Sequence, residues 1–188
     1  IRMEQTRTDY QSIFGTPVSI GDNLFLGGVV DTSGSRTYTE WLPMFHVRYK
    51  ATTWMDLRLA TTRSLSRPNY FDLVPFERLD HRGTSVARGN PDLQHTIAWN
   101  YDAFLSIYGN RGLFTLGGFY KRLDDISFIR NTRIQDPNDW FGYSLTSPVN
   151  SEEETVVKGF EVELQTNLKT LPNPWDGVVL GLNYSHIT

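Results

Sequence analysis

Clustered acids, four histidines and a Gly–Asn–Pro segment are the parts of this 188-residue sequence that bear on chemistry. A glycosidase needs two carboxyls held at a set separation across one bond. Asp124–Asp125 and Glu152–Glu153–Glu154 do not offer that, because neighbouring residues of an extended chain point to opposite faces. The glutamate run, at the end of an expected long loop, reads as a solvated edge. His46, His81, His95 and His186 show no metal-ligand spacing, and there is no cysteine to complete a zinc set. Asp136, Asn138 and Asp139 gather oxygen ligands but lack the glycine and glutamate positions of a calcium loop. No glycine-rich turn joins a strand to a helix, so nucleotide binding has no support. Arg88–Asp92 reads as a turn in which Gly89 takes positive φ and Asn90–Pro91 sets the exit. Asn183–Tyr184–Ser185 matches a glycosylation sequon but falls within an expected strand. The expectation is a protein that is not an enzyme and carries no cofactor or metal.

One polar set does have a pattern. His46, Arg48 and Lys50 alternate with Phe45, Val47 and Tyr49, and Asp56 and Arg58 with Met55, Leu57 and Leu59. Asn100, Asp102 and Ser106 fall between Trp99, Tyr101, Ala103, Leu105 and Ile107. Glu161, Glu163 and Gln165 fall between Phe160, Val162 and Leu164, and Val178, Leu180, Leu182 and Tyr184 repeat the alternation. Period 2 means extended strands with one apolar and one polar face. His46, Arg48, Asp56, Arg58, Asp102, Glu161 and Glu163 are therefore the candidate ligand-contacting residues. Ion pairing across adjacent strands is the plainer role for most of them, and a hydrated polar position is the plainer role for His46. Ile1–Tyr10 and Leu113–Arg130 also read as strands, with Gly117–Gly118 marking a bend.

These strands run about nine to fifteen residues, beyond the roughly 5–6 usual in globular proteins and close to the about 9–11 that a tilted strand needs to cross a bilayer. Composition agrees. Apolar residues are 39% and aromatics 13%, and mean hydropathy is −0.39, as suits a chain with one wet face. No stretch approaches 18 apolar residues, which rules out a transmembrane helix but not a membrane barrel. A net charge of −3 argues against nucleic acid. The 14 arginines against 4 lysines suit guanidinium groups fixed in ion pairs along a lumen.

Connections alternate in length. Segments 11–38, 67–95 and 131–154 are long, while Lys50–Thr53, Gly109–Gly112 and Thr170–Gly177 are short. Outer-membrane barrels have long extracellular loops and short periplasmic turns. On that polarity Tyr49, Trp54, Tyr108 and Trp175 form a periplasmic aromatic girdle, and Tyr38, Trp41, Trp99 and Tyr184 an outer one.

Several segments, in order, resemble the barrel of TonB-dependent receptors. Arg2-Met3-Glu4-Gln5-Thr6 resembles that family's Arg-x-Glu-x-Thr strand, and Leu42-Pro43 with Met44–Tyr49 its Leu-Pro strand. Leu57-Arg58-Leu59-Ala60 with Ser66-Arg67-Pro68, and Arg88-Gly89-Asn90-Pro91-Asp92-Leu93 followed by Asn100-Tyr101-Asp102, resemble its Arg-Pro and Gly-Asn-Pro segments. Gly118-Phe119-Tyr120-Lys121-Arg122, Lys158-Gly159-Phe160-Glu161 and Leu182-Asn183-Tyr184-Ser185 complete the series. His95 departs from the proline usual near that position.

The expected fold is all-β: about seven antiparallel transmembrane strands of a larger, 22-stranded barrel, with residues 1–188 a partial barrel domain. The opening at Ile1 reads as a removed leader or a start within a longer protein. The resemblance implies an active transporter for nutrient uptake in the bacterial outer membrane. Its partners would be lipid, the plug domain and remaining strands absent from this chain, the TonB energy-coupling system, and a nutrient ligand. A small self-contained membrane barrel with a binding role, and a soluble carbohydrate-binding β-domain, are the alternatives.

Overall fold

Alternating sequence becomes an up-and-down meander. The computed structural model describes residues 2–20, 23–137, 139–169, 172–173 and 175–188, with side chains for all of these except 12–32. In chain order the elements are β1 (Arg2–Ile20), β2 (Asn23–Leu42), β3 (Met44–Lys50), β4 (Met55–Ser66), the one-turn helix α1 (Tyr70–Leu73), β5 (Glu77–Asp80) and β6 (Ser85–Arg88). There follow β7 (Thr96–Gly109), β8 (Gly112–Asp124), β9 (Ser127–Arg133), β10 (Ser144–Asn150), β11 (Thr155–Asn167) and β12 (Val179–Ile187). Six of them form one sheet in the order β12-β11-β8-β7-β4-β3, every neighbouring pair antiparallel. At one end of it lie the short connections 51–54, 110–111 and 168–178. Thr170, Leu171 and Pro174 of the third expected turn lie outside the described residues, as do Ile1 and Asn138.

The sheet is a single layer. Its apolar face carries Phe45, Tyr49, Leu182 and Tyr184 at 59–69% exposure, and no described residue packs over them. The buried aliphatic side chains among the described residues are Val86, Leu93 and Ile134, joined by Pro148, all beyond the opposite end of the sheet. The surface reflects this: 13386 Å² is accessible, where a compact monomer of 21.6 kDa would expose about 9,200 Å².

That opposite end is more ordered than its sequence suggests. Segment 11–38, expected as a loop, is mostly a long hairpin in which β1 pairs with β2 from Arg2↔Leu42 to Ile20↔Asn23, with one register shift at Gly15/Thr16. Segments 67–95 and 131–154 contribute β5, β6 and β10 to a second sheet, order β5-β6-β10-β9, in which β6 and β10 run parallel. Leu113–Arg130 is two strands rather than one. Asp125 has φ 57°, and this left-handed residue ends β8 and redirects β9 onto β10. No bulge accompanies the bend expected at Gly117–Gly118, for the β7–β8 and β8–β11 registers run through both residues without a shift. Gly117 makes room: a Cβ there would sit 2.6 Å from the Phe104 ring.

Candidate functional site

Register places all seven candidate residues on one face. Residues paired across antiparallel strands share a face. Arg48 pairs with Arg58, Arg58 with Phe104, Phe104 with Gly117, and Gly117 with Glu161. The row below runs Lys50, Asp56, Ser106, Thr115, Glu163, and the row above holds His46, Ala60 and Asp102. The intervening rows carry Val47, Leu59 and Phe160, or Tyr49, Leu57, Leu105, Leu116 and Val162, all on the opposite, apolar face.

The structure joins only some of these seven. Asp56, 2% exposed, is the hub near the short-turn end. Its carboxylate accepts from Arg48 Nε at 3.0 Å and also from Arg48 Nη2, from Arg58 Nε at 3.1 Å and from the Tyr108 hydroxyl at 3.1 Å. Arg58 Nη2 in turn donates to that hydroxyl at 2.9 Å. Arg48 and Arg58 face each other directly in the ladder, so the carboxylate between them relieves a like-charge contact. Glu161 and Glu163 are exposed, and no hydrogen bond or ion pair joins either to another described residue. His46 and Asp102 lie in the same row two strands apart and do not meet.

Tyr108, expected in an aromatic girdle, gives its hydroxyl to the polar hub instead. Tyr38 is displaced from the outer girdle too, because its ring stacks on His95 at 4.1 Å. Trp99, Tyr101 and Tyr120 do cluster on the apolar face, with successive ring centroids 6.3 and 6.1 Å apart.

A second polar assembly clamps the segments at the end of the sheet opposite the short turns. His95, 9% exposed, sets Nε2 3.0 Å from Glu40 Oε1, and Arg63 Nη1 reaches Glu40 Oε2 at 2.7 Å. Arg67 pairs with Glu4 and donates to Thr6 Oγ1. These contacts bind the β1–β2 hairpin to the segment between β4 and β7. In the second sheet Arg88 bridges Glu77 at 2.7 Å and Asp139 at 2.6 Å. The Arg88 hydrogen bond outweighs burial and holds the Asp139 carboxyl below the usual carboxylate range. With its oxygen so engaged, Asp139 does not serve a cation loop, and no group of three ligating residues for a metal occurs among the described residues.

Of the acid clusters, Asp124 and Glu154 flank Arg122 at 3.4 and 3.3 Å, ion pairs that the sequence did not announce. Gly89 does not adopt positive φ; among the described glycines only Gly142 does. Its role is close approach, since a Cβ on Gly89 would lie 1.9 Å from the Val74 carbonyl oxygen. Asn90 fastens the same turn, accepting from the Asp92 amide and donating to the Pro148 carbonyl, both at 3.0 Å.

A family model described as TonB dependent receptor-like, beta-barrel, matches residues 2–188. Among solved structures, a double mutant of the hemophore receptor HasR of Serratia marcescens, in complex with hemophore HasA and heme, superposes with TM-score 0.64 at 17% identity, over 99% of this chain and 29% of that one. The siderophore receptor PirA of Pseudomonas aeruginosa gives TM-score 0.64 at 13% identity, over 99% and 34%. A mutant of the ferric enterobactin receptor PfeA of Pseudomonas aeruginosa gives 0.59 at 16%, over 82% and 24%. The chain thus spans a quarter to a third of the receptors it resembles. No curated protein matches it by sequence.

Proposed function

The chain belongs to the TonB-dependent receptor β-barrel family, and from that premise we propose that it forms wall and outer loops of an energised importer in a bacterial outer membrane. The family's members are transporters, not enzymes. The observation that carries the proposal is the single-layered sheet with an uncovered apolar face and a charged opposite face. Such a sheet is stable where hydrocarbon covers one side and water or protein the other. A small self-contained barrel fits less well with the family match over residues 2–188 and with the greater length of the receptors resembled. A soluble sugar-binding domain would leave the apolar face in water, against the hydrophobic effect.

On this proposal the short turns are periplasmic, the hairpin and second sheet are extracellular, and the polar face lines the lumen. Neighbouring strands lie about 4.8 Å apart, so the Arg58 row position on β4 and the Glu161 position on β11 are roughly 14 Å apart, beyond ion-pair reach. Glu161 and Glu163 are then available to cationic groups of a plug filling the lumen, and the Arg48–Asp56–Arg58 hub to acidic ones. The cargo belongs to the class of haem or iron–siderophore complexes, which the resembled receptors' names support. Fractionation and uptake test this together. The full-length receptor should partition with outer membranes, resist a high-salt wash, and support uptake of labelled haem or ferric siderophore only when cells are energised. Recovery in the aqueous fraction without detergent would overturn it.

A further inference from the structure

A cavity of about 160 Å³ lies between the β1–β2 hairpin and the segment joining β4 to β7. Its walls are the rings of Tyr10, Tyr38 and Tyr70 with Leu73, Leu93 and Pro91. A cavity of roughly 150 Å³ accommodates benzene, so this one fits a single planar ring between aromatic walls. Most charges around it are already matched: Arg67 by Glu4, His95 by Glu40. Arg36, which also lines the cavity, is not. It is half-buried, its Nη1 donates to the carbonyls of Pro91 at 3.5 Å and Leu93 at 3.3 Å, and it forms no ion pair with a described carboxylate. Among the described residues, two long bonds to neutral carbonyls are all that meet the guanidinium's five donors, and no carboxylate faces its charge.

From that combination we infer that the cavity binds a planar aromatic carboxylate. The ring stacks among the tyrosines, and the carboxylate takes the free donors of Arg36, whose fork suits two-point recognition. A neutral ring leaves the charge unmatched, and an aliphatic anion forgoes stacking. The ion pairs of Glu4 and Glu40 hold hairpin and loop in place on either side, so the site is built before the ligand arrives.

The inference deepens the proposal above, since it rests on the outer end being the substrate side. It is tested on the purified full-length receptor in detergent, where binding is read without transport. Benzoate and benzamide are titrated with detection by saturation-transfer NMR. Benzoate should bind saturably near about 1 mM, as expected for so small a ligand, and benzamide at least tenfold more weakly. R36Q should cost benzoate tenfold or more and leave benzamide unchanged. L73W, which fills the cavity and keeps Arg36, should abolish both, and it carries the test if R36Q does not fold. Absence of saturable benzoate binding, equal affinity for benzamide, or benzoate binding that survives L73W would each overturn the assignment. Failure of uptake with binding intact would count against the transport proposal alone.

Discussion

Replacing Leu105 with arginine probes the faces of the sheet most directly. Leu105 lies on the apolar face of β7, four residues from Gly109 at the short turn. A rise of about 3.4 Å per residue along a strand tilted near 40° gives roughly 2.6 Å of depth per residue, hence about 10 Å from the turn. With an apolar band about 25 Å tall, that is within a few ångströms of the midplane. Arginine costs about 2–4 kcal/mol at the midplane and about 0–1 near the interfaces, so Leu105→Arg should destabilise the barrel by about 3 kcal/mol, roughly a hundredfold in the folding equilibrium. Ile107→Arg, two residues closer to the turn, should cost about 1 kcal/mol. Asn183→Arg, on the exposed polar face, should be nearly neutral. Equilibrium unfolding of the full-length receptor in phospholipid vesicles, followed by tryptophan fluorescence, measures all three. Equal effects of Leu105→Arg and Asn183→Arg, or none from Leu105→Arg, would refute the assignment of faces.

Asp56→Asn should lower the thermal midpoint, because Arg48 and Arg58 then face each other without an anion; adding Arg48→Ala should recover part of the loss, as a double-mutant cycle will read. The Arg88–Asp139 bridge should make the second sheet acid-labile. Since the folded pKa of Asp139 is lowered, its contribution is complete above the ordinary carboxylate value and is lost as pH falls through the lower folded value. Amide exchange of β6 and β10 across that range should show the change, and Arg88→Gln should abolish it. Gly89→Ala should push back the Val74 carbonyl, only 1.9 Å from the new Cβ, and raise proteolysis of residues 72–95 while β7 and β8 stay protected.

The sheet was readable because alternation is local: Val162, Leu164, Glu161 and Glu163 announce their faces without knowledge of any partner. The extent of the hairpin was not, because a ladder needs only backbone amides and carbonyls, and Ser12–Ser35 mixes adjacent apolar residues such as Ile13–Phe14 and Leu24–Phe25–Leu26 with glycines, leaving little contrast between faces. The Asp125 break escaped for a related reason, since aspartate tolerates the left-handed region without requiring it. Among polar residues, sequence separated the Arg48–Asp56–Arg58 face correctly but missed Tyr108, whose aromatic body suggested an interface before its hydroxyl suggested a hub. Contacts such as His95–Glu40 and Arg88–Asp139 join residues more than fifty positions apart, and nothing in their local neighbourhoods names the partner.

The location of the buried apolar side chains bears on how freely this chain can vary. Val86, Leu93 and Ile134 press against fixed protein neighbours, so a change of one methylene there opens a void or a clash. Leu57, Leu59 and Phe160 would meet fluid acyl chains, which adapt to whatever outline they are given. Swaps among leucine, isoleucine, valine and phenylalanine on that face should pass almost unnoticed. Sequence drift in the wall would then be limited by polarity alone, while the few packed positions in the outer assembly would be limited by shape.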